Sequence, residues 1–309
     1  MPSSVRSAID EYLFAKKGQV TAKTYRWYEQ KLLKFCAWCE EQTLSLAEIK
    51  APTVRAYLHG LTVSGRKMSD YTRRGYAEVI KGWLSWCASE EEFEDSISAK
   101  LASRIESPKV EKTVKTPFSA AEVHALLLAC EREETKTLQV RAKAIVYLLL
   151  DTGIRASELA CDSSRPEEAT GLRLKDVYLD PHDPFIRVMG KGRKERDISL
   201  GDKARVSLRK YITRYRGKSQ SPYVFLSRTG EPLTVRGLEE FVTRLGERAR
   251  VDNCFAHRFR HTFAHLFKAK SKDIHLLSEI LGHTDTKITE NYLQQFSGRH
   301  KGFSVADDL

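Results

Sequence analysis

Phe185-Ile186-Arg187-Val188-Met189-Gly190-Lys191-Gly192-Arg193-Lys194-Glu195-Arg196-Asp197-Ile198-Ser199-Leu200 is where the sequence declares its fold class. Phe185–Met189 and Asp197–Leu200 read as strands, and the glycines at 190 and 192 mark a hairpin turn between them. Val177–Leu179 adds a third short strand-like run. On both sides the apolar period changes from two to three-and-four. The expected fold is therefore mainly α with a small antiparallel β-sheet.

Upstream, Ser119 and Glu122 have the spacing of a capping box, and Phe118 and Val123 that of a hydrophobic staple. They open a helix through Leu126, Leu127 and Cys130, and another follows from about Leu138 to Gly153. Downstream, helices are expected at about Asp202–Tyr215, Val235–Arg250, Arg258–Ala269, Ile274–Leu281 and Thr286–Phe296.

Further upstream, Ser107 to Pro117 is polar, bounded by prolines and without apolar period, so residues 108–117 read as a linker. Before it, residues 1–107 look like a small all-helical domain. Its helices carry Ile9, Tyr12 and Leu13; then Tyr25, Tyr28, Leu32, Phe35, Cys36 and Cys39; then Val54 and Leu58, with Pro52 as a first helical residue. Tyr76, Ile80, Trp83, Leu84 and Cys87 make the fourth. After the linker, residues 118–309 form a second domain.

The chain has 309 residues and a net charge of +11. That charge is uneven. Residues 1–107 hold 16 Lys and Arg against 14 Asp and Glu, and residues 108–309 hold 36 against 27. A basic second domain points to a polyanionic partner such as nucleic acid. No apolar run reaches the roughly 20 residues that span a bilayer, and Met1-Pro2-Ser3-Ser4 lacks the layout of a secretory signal. A cytoplasmic location without a membrane is expected. Cys36-Ala37-Trp38-Cys39 has redox or zinc half-site spacing, but no second close pair completes a tetrahedral site, so helix core is the expected role.

Five segments carry candidate chemistry. Thr152-Gly153-Ile154-Arg155-Ala156-Ser157-Glu158-Leu159 sets an arginine just past a helix-ending glycine, with Glu158 as its candidate ion-pair partner. The hairpin presents Lys191. His257-Arg258-Phe259-Arg260-His261 puts His257 and Arg260 on one helix face. Leu281-Gly282-His283 sets a histidine beyond a helix end, and Tyr292 follows nine residues later. Each piece has a bland reading as core, cap or solvated turn. Together they meet the needs of phosphodiester exchange. Such a reaction takes a phenol nucleophile, two guanidinium groups for the phosphate oxygens, a lysine to protonate the leaving oxygen, and histidines to hydrogen-bond or move a proton.

In this order the motifs resemble those of the tyrosine recombinases, the phage-integrase family, and most closely its compact Xer-like and transposon-type members. The resemblance covers nearly the whole chain. It implies a helical core-binding domain at 1–107 and a catalytic domain of tyrosine-recombinase type at 118–309. It implies an active site of Arg155, Lys191, His257, Arg260 and His283, with Tyr292 as nucleophile. It also implies a site-specific recombinase that cleaves and rejoins double-stranded DNA at specific sites through a 3′-phosphotyrosine and a Holliday junction, with neither ATP nor a metal. The partners implied are DNA and other recombinase subunits in a tetramer, with a tail carrying Phe303, Val305 and Leu309 docked on a neighbour. One departure is the polar stretch at residues 160–171, which reads as an inserted surface loop. A type IB topoisomerase or telomere resolvase uses related chemistry. A DNA-binding protein with a decayed site would share the charge.

Overall fold

The computed structural model describes residues 4–110, 116–162, 170–190, 195–271 and 273–282. The chain divides into two compact units, Met1–Lys112 and Thr113–Leu309.

The first unit contains α1 (Val5–Lys16), α2 (Ala22–Glu41), α3 (Ala51–Gly60), α4 (Asp70–Cys87) and the short α5 (Leu101–Arg104). Ser4, Thr21 and Ser69 cap the first, second and fourth helices, each side-chain oxygen accepting from a backbone N–H three residues on. Ile9, Leu32, Phe35, Ile80, Trp83 and Leu84 are fully buried. The Trp83 indole donates to the Ala8 carbonyl at 3.2 Å, so the largest core ring keeps its polar atom satisfied. Cys36 and Cys39 lie in this core with no exposure. Burial pushes their thiols up, to about 11 and about 12, which disfavours the reactive thiolate.

Two details depart from the sequence reading. Pro52 is the second residue of α3, not its first. This unit is also not wholly helical. Thr62–Val63 (β1) and Arg66–Lys67 (β2) pair antiparallel around Ser64 and Gly65, with φ of 50° and 75°. Two consecutive positive-φ residues give the tight turn that two-residue hairpins favour. Strands of two residues are too short to show an alternating pattern.

The second unit begins with α6 (Ala120–Cys130), α7 (Lys136–Thr152) and the one-turn α8 (Ala156–Leu159). The antiparallel sheet β3 (Val177–Tyr178), β4 (Phe185–Met189) and β5 (Glu195–Ser199) follows in sequential order. Then come α9 (Asp202–Lys210), which runs into a wider π turn at Tyr211–Tyr215, α10 (Val235–Ala249), α11 (Ala256–Ser271) and α12 (Ile274–Leu281). The expected capping box is present: Glu122 Oε2 accepts from Ser119 N at 2.8 Å, and Ser119 Oγ accepts from Glu122 N at 3.2 Å.

α7 is the central helix. Its Ala142, Ala144, Ile145, Val146, Leu148 and Leu149 are completely buried, and α6, α9 and α11 pack around it. One face of the sheet, Ile186, Val188 and Ile198, joins the same core. The register runs from Phe185 opposite Ser199 to Met189 opposite Glu195, which brings together the two strand ends that flank Lys191. Lys191 and the helix expected at Thr286–Phe296 lie outside the described residues, as does most of the insertion at 160–171.

Candidate active site

α7 stops because Gly153 turns left-handed, at φ 57°. A Cβ at that position would stand 2.5 Å from Phe263 Cδ1 and 3.3 Å from Leu281 Cδ2, so the turn admits no side chain. The chain then reverses into α8 with Arg155 as its first cap. The Arg155 backbone N–H donates to Glu158 Oε2 at 2.8 Å, and its Nη1 donates to Glu158 Oε1 at 2.8 Å. The ion pair expected between these residues is therefore present. The Arg155 side chain remains 30% exposed.

Arg260 reaches the same place from α11. It is 2% exposed, and its Nη1 donates to the Gly153 carbonyl at 2.9 Å. Its neighbour His257 is exposed, and the His257 ring meets the buried His261 edge-on at 4.6 Å. The three-residue spacing thus starts two side chains from adjacent helical positions, but one goes inward and the other stays at the surface.

α12 ends in a second left-handed glycine, Gly282, at φ 62°. The last carbonyls of a helix lack intrahelical partners and carry partial negative charge. Here three consecutive ones each accept from a different arginine. Arg196 Nε donates to Ile280 at 2.7 Å, Arg260 Nη2 to Leu281 at 2.6 Å, and Arg155 Nη2 to Gly282 at 2.9 Å. Arg155 and Arg260, 105 positions apart in the sequence, are thereby brought to one turn of backbone, directly before His283.

Arg196 was not expected at this place. It lies on β5, and its Nη1 and Nη2 donate to the two oxygens of Glu158 at 2.8 and 2.9 Å. The signal for it was available. Arg196 shares the inward phase of β5 with the buried Ile198 and pairs across the sheet with the buried Val188. A charged residue in that phase implies a buried partner.

The partner is Glu158, whose side chain is 3% exposed. Burial pushes its carboxyl up, but the hydrogen bonds and charge of Arg196, the charge of Arg155 and the Arg155 N–H outweigh this and hold it below the ordinary carboxylate range. Among the described residues, two guanidinium groups thus share one carboxylate, and a third, that of Arg260, joins them at the end of α12. The local excess of positive charge suits an anion, and planar two-pronged donors suit phosphate oxygens. Among the described residues no group of three His, Cys, Asp or Glu side chains could hold a metal. Lys191, His283 and Tyr292 lie outside the described residues; the structure places only the residues that lead to them, Met189, Glu195 and Gly282.

Comparison with known proteins gives the family and the fold. The tyrosine recombinase XerC of Staphylococcus epidermidis is 28% identical over 284 residues, covering 91% of this chain and 89% of the relative. The tyrosine recombinase XerD of Halalkalibacterium halodurans is 28% identical over 298 residues, covering 94% and 93%. Among solved structures, the XerH site-specific recombinase bound to a palindromic difH substrate has the same fold, with a TM-score of 0.68 and 22% identity over 94% of this chain and 80% of that one. A lambda integrase fragment, solved as a dimer on a COC′ core site, matches at a TM-score of 0.72 with 17% identity over 98% and 99%. The family model for the phage integrase family matches residues 116–299, and the chain belongs to that family of tyrosine recombinases.

Proposed function

We propose that the chain is a site-specific DNA recombinase in which Tyr292 attacks a backbone phosphate held by Arg155 and Arg260. The observation that carries this reading is the convergence of those two guanidinium groups on the turn that leads to His283. The phenolic oxygen of Tyr292 bonds to phosphorus, giving a 3′-phosphotyrosine. The bond to the 5′-oxygen breaks, and Lys191 protonates that oxygen as it leaves. His257 and His283 hydrogen-bond the phosphate, and one of them accepts the proton that the Tyr292 phenol gives up. The free 5′-hydroxyl of the partner strand then attacks the phosphotyrosine, and two rounds of exchange pass through a Holliday junction. Phosphodiester energy is retained in the protein–DNA bond, so the chemistry itself calls for no nucleotide hydrolysis.

Residues 1–107 act as the core-binding domain and 118–309 as the catalytic domain, working together on double-stranded DNA in the cytoplasm. No helix among the described residues is long and apolar enough to cross a membrane. The subunits act as a tetramer, linked by tails in which Phe303, Val305 and Leu309 dock on a neighbour. A groove on the second unit, apolar on the side of Phe263, Phe267, Leu276 and Ile280 and charged on the side of Arg187, Asp197 and Glu279, offers a place for such anchors.

A nicked suicide substrate, which loses the short strand after cleavage, tests the reading. Wild type should accumulate a covalent protein–DNA adduct. Tyr292→Phe should bind the same DNA with unchanged affinity and give none. An adduct resistant to denaturant from the Phe variant removes Tyr292 as nucleophile.

A further inference from the structure

We propose that Arg196 is a positioning residue for strand cleavage: it keeps the Arg155 guanidinium available to the phosphate, acting through Glu158. The inference rests on the reading of Arg155 as a phosphate ligand. Arg196 itself touches neither DNA nor the nucleophile in this scheme.

The Glu158 carboxylate accepts four hydrogen bonds, two at each oxygen. Arg155 supplies one through its backbone and one through Nη1, and Arg196 supplies the other two as a fork. A buried carboxylate facing Arg155 alone would form a one-to-one pair, neutralise it, and compete with the phosphate for its donors. With Arg196 on the same carboxylate, the cluster keeps one positive charge in excess. The charge demand of Glu158 is then met mostly from β5, so Arg155 is aligned by its partner without being consumed by it. Arg196 is suited to this and not to a surface contact: its side chain is 12% exposed.

The same side chain also fixes the turn before His283. Arg196 Nε holds the Ile280 carbonyl while Arg155 Nη2 holds that of Gly282. Gly282 lies close against both guanidinium groups, and its φ of 62° disfavours a side chain. A Cβ there would lie 3.0 Å from Arg196 Nη1 and 3.4 Å from Arg155 Nη1. One arginine therefore connects the strand that leaves the Lys191 turn, the carboxylate that orients Arg155, and the helix end that delivers His283.

The test compares single-turnover cleavage of two suicide substrates, one with an ordinary scissile phosphate and one with a neutral methylphosphonate there. The methylphosphonate carries less charge and asks less of Arg155. Wild type, Arg155→Ala, Arg196→Met and Arg196→Lys are measured on both, with DNA affinity and thermal melting recorded. Arg196→Met should bind DNA nearly as wild type but cleave the phosphodiester on the order of 10- to 100-fold more slowly, the scale expected when a catalytic group is misplaced by about 1 Å. On the methylphosphonate its deficit relative to wild type should shrink, as that of Arg155→Ala should. Arg196→Lys keeps the charge without the fork and should fall between. It also carries the test if the methionine variant does not fold. The proposal is overturned if a folded Arg196 variant cleaves the phosphodiester at the wild-type rate, or if its deficit is equal on both substrates while that of Arg155→Ala shrinks. If Arg155→Ala itself cleaves normally, it is the assignment of Arg155 that fails.

Discussion

Gly153 bears two constraints at once, and neither concerns chemistry. Its φ of 57° disfavours any L side chain, and Phe263 Cδ1 occupies the space a Cβ would need. Its carbonyl also accepts a hydrogen bond from Arg260. Gly153→Ala should therefore lose stability on the order of 2–4 kcal/mol, combining the left-handed backbone with overpacking. It should lose cleavage as well, because relief of the clash shifts the carbonyl that holds Arg260. Urea unfolding at neutral pH checks the first part, and adduct formation in the still-folded fraction checks the second. A variant within about 0.5 kcal/mol of wild type sinks the steric argument. At this scale the sequence was informative about identity and about the local Arg155–Glu158 pair, and silent about partners distant in the chain. Arg155, Glu158 and Arg260 could be picked out from spacing and resemblance. That Arg260 would be buried on backbone carbonyls, while His257 three residues earlier stays exposed, depends on which elements pack beside α11, and periodicity does not say.

At the level of elements, the hairpin of β4 and β5 was the most legible feature. Alternation and a glycine-flanked turn are local signals and place both strands, but the second runs over Glu195–Ser199 instead of the expected Asp197–Leu200, because Glu195 and Arg196 continue the pairing with Met189 and Val188. Helix starts were legible for the same reason: Ser119 and Glu122 form their capping box within one turn of chain. Features set by tertiary contact were not. The widening of α9 into a π turn at Tyr211–Tyr215 goes with Arg216, whose guanidinium gathers the carbonyls of Ser221, Tyr223 and Val224. It goes also with Tyr211, whose ring stacks on Phe225 at 5.4 Å. None of these partners lies at helical spacing. The hairpin also locates a prediction about function. If Lys191 protonates the leaving 5′-oxygen, a substrate with sulfur at the 5′-bridging position makes that proton unnecessary, because a thiolate leaves unaided. Lys191→Ala should lose roughly 10²- to 10⁴-fold on the ordinary substrate. It should recover most of that on the sulfur substrate, while Arg155→Ala should not. Equal failure of both variants on the sulfur substrate removes the acid role from Lys191.

For the whole molecule, bulk charge pointed the right way without specifying the partner. The excess of 36 basic over 27 acidic residues in 108–309 is a statement about polyanions in general, and the meeting of Arg155 and Arg260 at the end of α12 is the observation from which a single phosphate site is proposed. Assembly is the level at which one chain has least to say alone, and the segment that bears on it, residues 297–309, lies outside the described residues. Its composition still supports an argument. Gly298 and Gly302 interrupt the helical pattern after Tyr292, and Phe303, Val305 and Leu309 follow with little local apolar sequence to bury them. A large apolar side chain contributes about 1.5–3 kcal/mol when fully buried, so two or three anchors on a neighbouring subunit can tie a tetramer together. The first of these side chains, Phe303, follows Tyr292, the proposed nucleophile, by eleven residues. If the tail docks on a neighbour as proposed, the placement of Tyr292 is coupled to the presence of that neighbour. Deleting residues 303–309 should leave binding to a single half-site nearly unchanged, because no proposed phosphate ligand is removed. Cooperative filling of the second half-site and synapsis should both weaken, and cleavage should change with them. Gel-shift titrations on one- and two-half-site DNA measure these effects separately. Wild-type cooperativity and recombination from the truncated chain would mean that subunits are linked elsewhere and that the tail plays no part in coupling cleavage to assembly.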